Sequence, residues 1–223
     1  MDGAFLAGTA LFRGIQPEEI GRMLEHLGAS ERSYRRGEAV FLAGEAASQM
    51  GLVLSGSVNI ELDDLWGNKQ IFGHVTPGQV FGETYACVPG EPMLASAVAD
   101  EPAAVLFLDM QRLLAGCPSL WESHSRLIRN LVGIFAQKNL TLSQRMMHTS
   151  SKSIRGRLLS YLSMEAERQG SRRFEIPYNR QQLADYLSLD RSALSRELGN
   201  MKRDGLLDYR KNYFVLKETL RHD

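Results

Sequence analysis

The chain has little cysteine. Cys87 and Cys117 are its only two, far apart and in no paired motif. That argues against a disulfide framework or an iron–sulfur cluster, and it fits a reduced, cytoplasmic protein. Both read as inert buried thiols. Long hydrophobic runs are also missing, so nothing approaches the roughly 20 apolar residues of a membrane span. The opening MDGAFLAGTALF has no basic residue ahead of its apolar ones and does not read as a signal peptide. The five histidines are scattered, and His74 has no second histidine or carboxylate at ligand spacing. Net charge is absent too: 26 Lys and Arg balance 26 Asp and Glu. Taken whole, that balance speaks against a nucleic-acid binder.

The zero is an average. From Met146 onward 15 basic side chains face 10 acidic ones, whereas 11 face 16 before it. A basic excess confined to the C-terminal part is the polarity expected if only that part touches phosphate. Within it, Asn179 to Gly205 reads as two short helices and a tight turn. Leu183, Ala184 and Leu187 share one face of the first helix. Ser188-Leu189 break the pattern, and Asp190 is a good N-cap for the second helix. Leu194, Leu198 and Met201 form that helix's buried stripe. Arg191, Ser192, Ser195 and Arg196 fall on its opposite face, as groove-reading donors should in a helix-turn-helix. An amphipathic hairpin with a solvated charged face would give the same pattern. Downstream, Leu206–Tyr209 and Tyr213–Leu216 alternate like strands around Arg210-Lys211-Asn212, predicting a β-hairpin with a basic tip.

Upstream, a short helix is predicted within Phe12–Leu27. Pro17 suits its first turn, and Ile20, Met23, Leu24 and Leu27 make its apolar face. From Ser33 to Asp109 short apolar runs are separated by glycine, and Val58, Ile60 and Leu62 alternate with Asn59 and Glu61. Many short strands with glycine turns predict a sandwich or jelly-roll barrel. Ser119–Arg145 is predicted as a long helix with two apolar stripes. One is Leu120, Leu127, Leu131 and Ile134. The other is Trp121, Ile128, Val132, Phe135 and Leu142. One stripe can cover the barrel while the other meets a second copy of the chain. Leu127, Leu131, Ile134 and Phe135 are the dimerisation candidates. His148–Ser151 reads as a hinge, and a helix follows from about Ser153 to Gln169. The expected fold class is α+β: a barrel over 1–117, a long helix over 118–147 and a winged helix-turn-helix over 148–223.

Barrel, long helix and winged helix-turn-helix, in that order and length, resemble the Crp–Fnr family of bacterial transcription regulators. Tyr34-Arg35-Arg36-Gly37-Glu38 and Phe41–Glu45 look like the first strands of a cyclic-nucleotide-binding barrel. Pro77–Glu83 looks like the start of its phosphate-binding cassette. Asn179-Arg180-Gln181-Gln182 and Asp190–Arg196 resemble the DNA-reading helices. The resemblance implies base reading by Arg191, Ser192 and Arg196, with Arg180 and Arg155 near the DNA backbone. It also implies a double-stranded β-helix sensor, a homodimer on a palindromic operator, and RNA polymerase as a partner, with no membrane.

Two departures bear on the effector. Nucleotide-binding members carry an arginine late in the cassette, followed by serine or threonine. Here that place reads Glu91-Pro92-Met93-Leu94-Ala95-Ser96, and no arginine lies between Glu83 and Asp100. A buried phosphate without a cation would keep its desolvation cost, which argues against cyclic AMP. No cysteine precedes Cys87, so the family's N-terminal cysteine cluster is missing. If the family's effector cavity persists, the expected lining is Phe72, Val80, Glu83, Met93 and Leu94, with Ile134, Phe135 and Lys138 from the long helix. Such a lining suits a small organic acid or aromatic compound. The alternatives are a filled site, a cyclic-nucleotide-responsive regulator, or a barrel metalloenzyme.

Overall fold

The computed structural model describes residues 2–63 and 69–217. The chain divides into two compact units, Met1–Phe135 and Ala136–Asp223.

The first unit opens with helices α1 (Gly3–Ala7) and α2 (Pro17–His26). Eight strands follow: β1 (Ser30–Tyr34), β2 (Ala39–Phe41), β3 (Gln49–Ser55), β4 (Val58–Asp63), β5 (Lys69–Val75), β6 (Val80–Phe81), β7 (Ser96–Ala99) and β8 (Ala103–Asp109). They form two four-stranded sheets, ordered β1-β8-β3-β6 and β2-β7-β4-β5, with every pair antiparallel. This is the predicted jelly roll. Helix α3 (Glu83–Cys87) lies between β6 and β7, and α4 (Met110–Ala115) follows β8. Neither was foreseen, nor was α1. A helix of five or six residues shows too little periodicity to be read from sequence.

Two cores divide this unit. One lies between the sheets and draws on all eight strands: Val53, Val58, Val75, Phe81, Ala97, Val105 and Phe107 are buried, with Tyr34, Val40, Phe41 and Ile60 against them. Its rings meet edge to face, Phe41 at 5.6 Å from Phe81 and 5.7 Å from Phe107. Such pairs contribute about 0.5–1.5 kcal/mol each beyond their burial. The other core covers the outer face of the first sheet with Phe12, Ile20, Leu27, Leu113 and the start of the long helix α5 (Trp121–Thr149). Asn130 ties α5 down by donating to the carbonyls of Leu11 and Arg13, both at 2.9 Å.

The two stripes of α5 have different surroundings. Leu127 and Leu131 are buried in the unit's own core, and Ile134 and Phe135 are partly buried against it. Leu127 and Leu131 are therefore used within the chain and unavailable to a second copy, which corrects half of the expected dimerisation set. On the other stripe Trp121, Val132 and Leu142 stand exposed. The helix also runs two residues into the expected hinge. His148 is inside it, and the break falls at Ser150–Ser153.

The second unit holds α6 (Ile154–Arg168), β9 (Arg173–Glu175), α7 (Arg180–Tyr186), α8 (Arg191–Arg203), β10 (Leu207–Arg210) and β11 (Tyr213–Leu216). The strands form one antiparallel sheet, β10-β11-β9. Its core joins Leu158 and Leu162 of α6 to Leu183 and Ala184 of α7, Leu194, Leu198 and Met201 of α8, and Leu207 and Phe214 of the hairpin. Those of α7, α8 and the hairpin are residues whose spacing predicted the helix-turn-helix and its wing.

Candidate nucleic-acid interface

Helix α7 starts on a capping box. The Asn179 side chain accepts from the Gln182 N–H at 3.0 Å, and the Gln182 side chain accepts from the Asn179 N–H at 2.9 Å. Two otherwise orphaned donors are thus satisfied at the helix start. Ser188 closes the turn at φ 53, a left-handed conformation. Arg157 of α6 braces it by donating to the carbonyls of Leu187 and Ser188, both at 3.1 Å. The sequence reading missed Arg157, because a lone arginine on a helix gives no sign that it will cap a distant turn.

Helix α8 begins where Asp190 accepts from the Ala193 N–H at 2.8 Å. The Ser192 hydroxyl also donates to the same Asp190 oxygen. These two bonds, the Ser192 one first, hold the Asp190 carboxyl below its ordinary range, with help from the nearby Arg196 charge. Ser192 thereby commits its proton within the chain. Only its lone pairs remain, so it is an acceptor rather than the donor expected from sequence. Ser195 is half-buried.

Arg191 and Arg196 are exposed and make no hydrogen bond or ion pair among the described residues. Three nearby basic groups are engaged. Arg155 donates to Glu197 at 2.6 Å and reaches Asp204 at 2.7 Å, pinning α6 to α8. Those bonds raise its pKa, and they lower that of Glu197. Arg180 donates to the Lys211 carbonyl at 3.0 Å and lies over the rings of Tyr209 and Phe214, at 5.1 and 5.8 Å. Burial lowers its pKa. Lys202 pairs with Asp208, tying α8 to the wing. Arg155 and Arg180, both expected near the DNA backbone, are thus occupied in holding the motif together. Gln181 is exposed and donates to Asp185 one turn on, at 2.8 Å. The wing tip, Arg210 and Lys211, is exposed, with Lys211 at φ 56.

The expected effector lining does not assemble in the same way. Val80 packs on the outer face of the first sheet with the helices, while its neighbour Phe81 points between the sheets. Phe72 and Leu94 are 50% and 73% exposed. Glu83 and Met93 are buried. Ile134 and Phe135 are partly buried against the outer core, and Lys138 is exposed in the second unit. The face of a two-residue strand cannot be assigned by alternation, and Val80 was given the wrong one. Among the described residues no group of three His, Cys, Asp or Glu is placed to hold a metal ion. No described helix is long and apolar enough to cross a membrane.

The sequence of each unit matches a known domain family. Residues 31–117 match the cyclic nucleotide-binding domain, and residues 156–220 match the Crp-like helix-turn-helix domain. The chain belongs to the Crp–Fnr family of transcription regulators. Its relatives include the cyclic AMP receptor protein of Thermus thermophilus, 28% identical over 91% of this chain and 89% of that protein. The nitrogen fixation regulation protein FixK of Rhizobium meliloti is 27% identical over 90% and 92%. A crystal structure of the Thermus thermophilus catabolite activator protein matches 94% of each chain at 25% identity, with a TM-score of 0.51. CprK complexed with OCPA shares the fold at a TM-score of 0.64 and 17% identity, over 90% of this chain and 92% of that one. As a Crp–Fnr member, the chain is a DNA-binding transcription regulator.

Proposed function

We propose that this regulator works in the cytoplasm as a homodimer that reads a palindromic operator through α8, with Arg191 and Arg196 as the base-reading donors. The observation that carries the reading is the contrast among its arginines. Arg145, Arg155, Arg157 and Arg180 are engaged within the unit, while Arg191 and Arg196 stand exposed on a capped, braced helix. Guanidinium groups are suited to guanine O6 and N7, each good pair being worth about 1–3 kcal/mol of discrimination. Arg210 and Lys211 would lie against phosphate, and Gln181 at the edge of the groove. RNA polymerase is the expected further partner. The exposed stripe of Trp121, Val132 and Leu142 supports self-association through α5. Footprinting on a site selected from random DNA tests the reading. Two protected half-sites about one helical turn apart are expected, and a single asymmetric half-site would contradict the dimer.

The proposal extends to the effector, which is not a cyclic nucleotide. No arginine lies between Glu83 and Asp100 to meet a cyclic phosphate, and Phe41, Phe81 and Phe107 fill the space between the sheets. The competing reading keeps one point in its favour, since Gly82 at φ 74 leads into the buried Glu83 of the cassette. Calorimetry with cyclic AMP and cyclic GMP separates the two. No heat of binding is expected, and saturable micromolar binding would establish the competing reading.

A further inference from the structure

The second unit contains a cleft of about 680 Å³ beside the last turns of α5. Gln137, Thr141 and Gln144 line one side, at the spacing of a single helix face. Met164 and Glu165 of α6 line the other. Three tyrosines complete the wall: Tyr161, Tyr178 and Tyr186, with ring centroids 5.1 to 6.1 Å apart. Where α5 and α6 meet, the His148 ring stands edge-on to Tyr161 at 5.5 Å. Arg145 is tied back by donating to the carbonyls of Tyr186 and Asp185.

Glu165 gives the cleft its chemistry. It is 7% exposed. Its Oε2 is saturated, accepting from Arg168 at 2.7 Å and from Gln169 at 3.1 Å. Its Oε1 accepts no hydrogen bond among the described residues. The carboxylate charge is felt at all three tyrosines, adding to the effect of burial in raising their pKa values. The cleft's other lining charges are Glu167 and Arg168, both exposed, and Arg168 is already paired with Glu165. Among the lining charges one acid is in excess, over a wall of ring faces that are themselves electronegative. Arg145, outside the lining, lies over the Tyr186 ring at 6.0 Å and opposes the Glu165 charge at Tyr178 and Tyr186.

We propose that this cleft is a binding site for an organic cation, a substituted ammonium or amidinium carried on an aromatic or alkyl body. The cationic head would sit on the tyrosine rings, an attraction that strengthens as water leaves, with its charge toward Glu165 Oε1. The body would lie along Gln137, Thr141 and Gln144. An anion would face the unpaired carboxylate oxygen and is excluded. An occupant would fix the angle between the last turns of α5 and α6. That regulatory consequence rests on α8 being the DNA-reading helix, whereas binding itself does not.

Titration calorimetry of the full chain with benzyltrimethylammonium, benzyl alcohol and benzoate decides it without DNA. Saturable binding of the cation at one per chain is expected, with none for benzoate and at least tenfold weaker binding for the alcohol. Glu165→Gln should weaken the cation at least tenfold. Because Glu165 also supports Gln169, Thr141→Trp serves as a second variant. Thr141 is exposed, so the indole fills the cleft without disturbing the core, and binding should be lost. No saturable binding of the cation, or equal binding by the wild type and Thr141→Trp, would overturn the site. Failure to protect an operator would instead count against the reading of α8 and leave this result standing.

Discussion

Each unit contains a cluster of four rings, and the two clusters behave oppositely. In the barrel Tyr34, Phe41, Phe81 and Phe107 meet between the sheets and fill the space. In the winged unit His148, Tyr161, Tyr178 and Tyr186 cluster beside an open cleft. Phenylalanine carries no polar atom and can seal an interior at no hydrogen-bonding cost. Tyrosine and histidine bring polar atoms that need partners. In this cluster Tyr161 Oη and His148 Nε2 are buried with none, as is His124 Nε2 on α5 in the first unit, a cost of about 1–3 kcal/mol for each orphaned group. Among the described residues the barrel's ring cluster thus packs with no orphaned polar atom, whereas the winged unit's cluster leaves two.

The comparison can be broken most directly in the barrel. Phe107→Ala removes a ring that touches both Tyr34 and Phe41, and should cost about 3–5 kcal/mol. In scanning calorimetry the loss should fall on the first unit's transition and leave the second in place. If both transitions move together, the units are not independent. Next come adjacent residues on α5. Leu131→Ala should cost about 2–5 kcal/mol of stability, because Leu131 is buried in its own unit. Val132→Ala should stay within about 0.5 kcal/mol yet weaken self-association by sedimentation. A destabilised Val132 variant would show that the two stripes are not divided as described.

The smallest effect is one of pH. Burial lowers the His148 pKa, although the Glu165 charge opposes it. In the unfolded chain the same imidazole protonates near 6.5. Below that value the unfolded state binds the extra proton first, so stability is full above about 6.5 and falls as the pH drops toward the folded value. Urea melts at pH 7.5 and 5.5 should show the second unit weakening. His148→Phe, which keeps a ring against Tyr161, should flatten that dependence. An unchanged slope in the variant would assign the titration to another group.

Much of this was legible in the sequence. The stripe Leu194, Leu198, Met201, the Asp190 cap and the glycine-separated strands each carry a local period or a local hydrogen bond. Those signals belong to neighbouring residues, and they survive folding. What a side chain meets across the fold is not written locally. Arg155 and Arg180 look like any exposed arginine until Glu197, Asp204 and the wing come into place. Leu127 and Val132 look equally apolar until one side of α5 meets the barrel. Val80 and Phe81 differ only in which sheet face they occupy. The cleft beside Tyr161, Tyr178 and Tyr186 was missed for the same reason, since its walls come from α5, α6, the following loop and α7.

The central claim is that two exposed arginines on α8 read base edges, while their neighbours hold that helix in place. Affinity of Arg196→Ala for the selected operator, by fluorescence anisotropy at fixed salt, tests it most directly. The account predicts a loss of about 1–3 kcal/mol with relaxed discrimination at one base pair and an unchanged melting temperature. Full affinity with undiminished discrimination would contradict it.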